Sequence, residues 1–124
     1  MKSISTNNAL KPAGHYSQAI VHNDIIYISG QFAINPITGE KEHGTINEQV
    51  ERVLSNIELI LKEAGSCKNK IIKMTIYISD LELWDEVNDT YSKFFKHHKP
   101  ARVIISSREL HFGFSVEIDA IGYI

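Results

Sequence analysis

A chain of 124 residues, 43% hydrophobic and 23% charged, has the make-up of an ordinary globular fold and excludes both disorder and coiled coil. One domain, residues 1–124, is expected; at that size it buries roughly two thirds of its unfolded surface, so its core needs no staples. A net charge of −2 without a basic stripe speaks against a nucleic-acid binder, and the single cysteine, Cys67, excludes an internal disulfide.

No apolar run is long enough to span a membrane. The first residues, MKSISTNNALKPAG, lack the apolar core of a signal peptide. A soluble protein of the reducing cytoplasm is the expectation.

In chain order, residues 16–22 and 25–32 read as two strands joined across Asn23-Asp24, a pair that tolerates the positive φ of a tight hairpin. A short extra strand fits near Ile4. Asn35-Pro36-Ile37-Thr38-Gly39 reads as a turn. Thr45 followed by Glu48 is a capping box, and Ile46, Val50, Val53, Ile57, Ile60 and Ala64 form one apolar stripe, so a helix is predicted over 45–64, with Gly65 as its C-cap.

Residues 70–78 form a strand with Ile72, Met74, Ile76 and Ile78 on one parity and Ile71, Lys73, Thr75 and Tyr77 on the other. Ser79 or Asp80 then caps a second helix running to about His97, with Trp84, Val87, Tyr91 and Phe94 on one face and Pro100 ending it. The stretch Lys96-His97-His98-Lys99 reads as a solvated helix end. Strands 102–107 and 114–123 close the chain. In the last, Phe114, Val116, Ile118 and Ala120 alternate with Ser115, Glu117 and Asp119.

This order predicts an α+β fold, a mixed sheet with both helices packed on one face. The open face would carry Ile71, Tyr77, Ile104 and Ile121. An apolar patch of that kind marks a partner surface and predicts a homo-oligomer packed sheet to sheet.

The chain has no glycine-rich phosphate loop, no nucleophile elbow and no zinc-binding helix motif. Its six histidines do not fall at metal-ligand spacing, and no metal is expected. Two groups stand out. Arg102 opens a strand, and it shares a face with Glu117 if Val103 and Ile105 point into the core. A tight return between the last two strands would then bring Arg102 close to Glu117 or Asp119. One reading is a cross-strand ion pair buried in a subunit interface. The other is a small-molecule site, in which the guanidinium fork holds a carboxylate and the glutamate deprotonates a water.

The stretches Gly14-His15-Tyr16-Ser17-Gln18-Ala19, Ile28-Ser29-Gly30-Gln31, Asn35-Pro36 with Thr38-Gly39, Val87-Asn88 with Tyr91, Pro100-Ala101-Arg102 and Val116-Glu117-Ile118 occur in order. Together they resemble the RidA (YjgF) family over nearly the whole chain. The resemblance implies a chorismate-mutase-like fold and a homotrimer whose sheets face inward, with ligand clefts between adjacent subunits. It implies hydrolysis of reactive enamines and imines, such as 2-aminoacrylate, 2-iminopropanoate and 2-iminobutanoate, to 2-keto acids and ammonia without a cofactor. These substrates are released by pyridoxal-phosphate-dependent dehydratases.

Carried over by position, Arg102 would bind the substrate carboxylate and Glu117 would orient the attacking water. Tyr16 would touch the ligand, Ser29 and Gly30 would form the pocket wall, and Asn88 would help close the cleft. The backbone at Ile104 would contact the ligand. Three positions depart from the family pattern. His15 and His111 replace prolines, and Ile104 stands where cysteine is frequent. Two other readings are a non-catalytic carboxylate binder, needing Arg102 but not Glu117, and the RNA cleavage attached to some members under the name endoribonuclease L-PSP. The acidic balance disfavours the latter.

Overall fold

The computed structural model describes residues 1–124. Six strands form one sheet: β1 (Lys2–Ile4), β2 (Ala19–His22), β3 (Ile25–Gln31), β4 (Ile71–Ile78), β5 (Ala101–Ser106) and β6 (Val116–Tyr123). Their order across the sheet is β1-β2-β3-β6-β4-β5, with β4 and β5 parallel and every other pair antiparallel. Two helices, α1 (Ile46–Glu63) and α2 (Trp84–Phe95), pack together over one face.

The local rules account for most boundaries. Asn23 and Asp24 take φ of 50° and 63°, the doubly left-handed turn a two-residue hairpin needs. Thr45 Oγ1 accepts from Glu48 N at 3.2 Å and Glu48 Oε1 accepts from Thr45 N at 3.3 Å, which completes the capping box. Gly39 has φ of 76° where its turn requires the left-handed region.

The core lies between α1, α2 and the inner face of the sheet. Val50, Val53, Leu54, Ile57, Ile60 and Leu61 of α1 meet Ile26, Met74, Ile76, Val116 and Ile118. Buried polar side chains stitch the layers. Asn56 Nδ2 donates to the carbonyls of Phe32 (3.1 Å) and Ile34 (2.9 Å). Gln49 Oε1 accepts from Ser115 N at 3.0 Å, fixing the entry to β6.

Several expectations are corrected. A register shift between Ile71 and Lys73 turns Ile71 into the core, 2% exposed, and Ile72 outward. Helix α2 starts at Trp84, after a short turn capped by Asp80 Oδ1 accepting from Glu82 N. It ends at Phe95, because Lys96 adopts φ of 58° before Pro100 is reached. His98 is half-buried rather than solvated: its ring nitrogen meets Ile71 O at 2.8 Å and the ring packs against Phe95.

The largest correction concerns β5. Strand β4 lies between β5 and β6, so the last two strands are not neighbours and no tight return joins them as a pair. Arg102 pairs with Met74 and Ile104 with Ile76, which places both on the helix-covered face, and Ile104 packs against the core. Val103 and Ile105 take the open face, each 40% exposed. Tyr77 and Ile121 are on that face as expected, together with Tyr27, Glu117 and Asp119.

Candidate functional site

The residues singled out in the sequence fall into two groups. One surrounds Arg102. Helix α2 presents Trp84, Asn88 and Tyr91 along one stripe at three- and four-residue spacing, aimed at the start of β5. The guanidinium carbon lies 4.7 Å from the centre of the Tyr91 ring and 5.5 Å from that of Trp84. Arg102 Nη1 donates to Asn88 Oδ1 at 2.9 Å.

Cation–π contacts and one hydrogen bond thus orient a half-buried cation without neutralising it. The ion pairs of the chain are Arg52–Glu42 and Lys93–Asp89, both at 3.0 Å. Arg102 has none, so the cross-strand pair with Glu117 does not form within one protomer. Burial pushes the Tyr91 phenol up to about 12, an effect the Arg102 charge partly opposes. A cleft of about 410 Å³ opens beside this group, lined by Asn88, Tyr91, Lys96, Lys99, Pro100 and Arg102.

The second group surrounds Glu117, on the opposite face of the sheet and two strands from β5, about 10 Å in lateral spacing alone. A register shift in β3 between Ile28 and Gln31 falls at Ser29-Gly30 and draws that strand against the glutamate. A Cβ built on Gly30 would sit 3.1 Å from Glu117 Cδ and 3.2 Å from Oε2, so the carboxylate occupies space that only a glycine leaves free.

Ser29 Oγ donates to Ser17 O at 2.7 Å, and Ser29 N donates to Gln18 O at 3.0 Å. These bonds hold the segment carrying Tyr16, whose phenolic oxygen accepts from Ala13 N at 3.3 Å. Tyr16, Gly30, Phe32, His111 and Phe112 line a recess of about 50 Å³. Burial, and then the neighbouring Asp119, raise the Glu117 carboxyl above its usual range, while the charge of His111 opposes this. Asp119 is likewise raised by burial, against the hydrogen bond from Thr75 and the charge of Lys73.

Within one chain, then, Tyr16, Ser29, Gly30 and Glu117 are brought together, as are Asn88 and Arg102. Ile104 stands on β5, an edge strand whose outer backbone groups are free to pair. Sequence reasoning read Trp84 and Tyr91 only as core, although their α2 spacing with Asn88 holds the signal. It also missed Gln18, whose buried amide accepts from Thr6 N and donates to Thr6 O and Leu10 O, anchoring the segment before Tyr16.

Gly30→Ala is expected to displace the Glu117 carboxylate, because the added Cβ would meet its Cδ at 3.1 Å, with little change in melting temperature; a crystal structure of the variant beside a thermal melt checks this.

No helix is long and apolar enough to cross a membrane. No group of three or more His, Cys, Asp or Glu side chains is placed to hold a metal ion.

The endoribonuclease L-PSP family model matches residues 6–124. The chain is 43% identical over 120 residues to a RutC family protein of Pyrococcus abyssi, covering 97% of this chain and 94% of that one. It is 38% identical over 120 residues to the 2-iminobutanoate/2-iminopropanoate deaminase of Bos taurus, covering 97% and 88%. The crystal structure of Escherichia coli TdcF with bound serine superimposes with a TM-score of 0.94 at 31% identity, covering 100% of this chain and 99% of that one. An α+β protein with this sheet and these motifs belongs to the RidA/L-PSP family, and this chain is a member of it.

Proposed function

We propose that this protein hydrolyses reactive 2-imino and enamine acids, such as 2-aminoacrylate, 2-iminopropanoate and 2-iminobutanoate, to 2-keto acids and ammonia. Its site is assembled between the protomers of a homotrimer. The carrying observation is the division described above. Arg102 is an oriented cation with no carboxylate partner, Glu117 is a carboxylate held above its usual range, and a sheet separates them. Neither half suffices alone, whereas the Arg102 half of one copy facing the Glu117 half of the next makes a complete site. The apolar open face, with Tyr27, Val103 and Ile105 exposed, supplies the surface for assembly. The names of the bovine deaminase and of serine-bound TdcF agree with a small amino-acid-derived carboxylate.

In this site Arg102 grips the carboxylate and Glu117 takes a proton from water as its oxygen adds to the imine carbon. That carbon is already electrophilic, so positioning and one base supply most of what the reaction needs. The test is ammonia and keto-acid release from 2-aminoacrylate generated in place by a dehydratase. A rate above buffer supports the reading, and a rate equal to buffer overturns it.

A further inference from the structure

We propose that His111 is a second catalytic residue of this site, an acid that delivers a proton to the substrate nitrogen while Glu117 works on the oxygen. The inference rests on the reaction proposed above and deepens it.

His111 follows Leu110 at the start of a short turn, His111–Gly113, that leads into β6. Phe112 holds φ of 60° in this turn, and its ring packs 3.7 Å from the imidazole, centre to centre. Phe112 in turn packs edge-on against Phe32 and Phe114, of which Phe114 is fully buried. The imidazole is therefore carried on a braced turn rather than a free loop. It lines the same recess as Tyr16 and Gly30, and Gly30 is the residue against which the Glu117 carboxylate lies. The charge of His111 is felt at that carboxylate. His111 thus lines a recess whose wall residue, Gly30, is in contact with the Glu117 carboxylate.

The reaction needs both. Water added to an imine leaves a carbinolamine, whose nitrogen departs only once it is protonated. In the first step Glu117 accepts a proton from water as the C–O bond forms, and the imidazolium of His111 gives a proton to the imine nitrogen. The product is a neutral carbinolamine, with His111 neutral and Glu117 protonated. In the second step Glu117 returns its proton to the nitrogen and the C–N bond breaks. His111 takes the hydroxyl proton as the carbonyl forms. Ammonia and the keto acid leave, and both side chains regain their starting charges.

Charged groups of both signs surround His111, and Arg108 and Glu109 precede it in the same loop. Lys11 lines the same recess, Lys41 Nζ lies 4.7 Å from the Phe112 ring centre, and His43 stacks on Phe114 at 4.6 Å. Asp119 and Lys73 act on the Glu117 side.

The experiment compares the wild type with H111Q and H111A on 2-aminoacrylate, each corrected for the buffer rate. His111 is exposed, so neither variant opens the core, and an unchanged thermal melt confirms it. H111Q is expected to lower kcat about 100-fold with KM within threefold of the wild type. Added imidazole should restore part of the H111A rate. An H111Q rate equal to that of the wild type overturns the proposal. So does an H111A rate that imidazole leaves unchanged. Wild type no faster than buffer overturns the hydrolase reading along with it.

Discussion

Replacing Arg102 with alanine is expected to raise KM for a 2-imino acid about 10- to 100-fold, the range for losing one charge-assisted hydrogen-bonded contact to a substrate carboxylate. The side chain is clamped by Asn88 and lies over Tyr91 and Trp84, so the same change also removes packing. A stability loss of about 1–2 kcal/mol should accompany it. R102K separates the two effects. Lysine keeps the charge but has neither the planar fork nor the stacking surface, so its KM should fall between wild type and alanine. Steady-state kinetics and a thermal melt on the three proteins check this. Equal KM values would remove Arg102 from the binding role.

Glu117→Gln should leave binding of a keto-acid product within a few-fold of wild type while lowering kcat about 10²- to 10⁴-fold, the usual contribution of a general base. The wild-type pH profile should show the same group. Glu117 must be ionised to act, and burial with Asp119 nearby holds its carboxyl above the ordinary range. Activity is therefore lost on the acid side at a pH higher than a free glutamate would give.

The sign for stability is the reverse. A carboxyl raised in the folded state contributes stability that is present below its ordinary value and lost as pH rises through the raised one. E117Q should thus melt no earlier than wild type at neutral pH, and any gain should vanish as the pH falls below the ordinary carboxylate range. Kinetics and melts over the same buffers test both halves. An inactive variant with a lowered melting temperature would point to a structural glutamate instead.

The two variants also test the division of the site. In mixed assemblies of the proposed homotrimer, a site whose arginine comes from an E117Q chain and whose glutamate comes from an R102A chain is intact. Co-refolding equal amounts of the two variants, assayed at substrate well below the wild-type KM where each alone is slow, should restore about a quarter of wild-type activity under random assembly. No recovery would mean that both residues serve a site within one chain.

Much of the fold was legible because the signals are local. The Asn23-Asp24 hairpin, the Thr45–Glu48 capping box and the α1 stripe each depend on residues within one or two turns of one another, and the structure reproduces them. The alternation of β6 was equally legible, because its core-facing and open-facing residues differ sharply in polarity. Strand β5 was not. Its residues Arg102 to Ile105 are apolar on both parities apart from the arginine, so periodicity offered no way to choose a face. The choice fell to β4, which inserts between β5 and β6 and sets the register Met74–Arg102. Ile71 was misassigned because a bulge shifts the parity of the strand by one residue, and no residue type there announces it.

By itself the sequence determined most of the elements and turns, the caps of α1, and the chemical types at the site: a guanidinium, a carboxylate, a phenol and a glycine. Those follow from short-range geometry and from side-chain chemistry that no fold can alter. Only the tertiary structure decided that Arg102 and Glu117 lie on opposite faces of one sheet, that α2 supplies the aromatic support for the arginine, and that His111 comes to share a recess with Gly30 beside the Glu117 carboxylate. Strand order and register join residues far apart in the chain, and they are settled by which packing buries the most apolar surface, a property of the whole chain rather than of any segment.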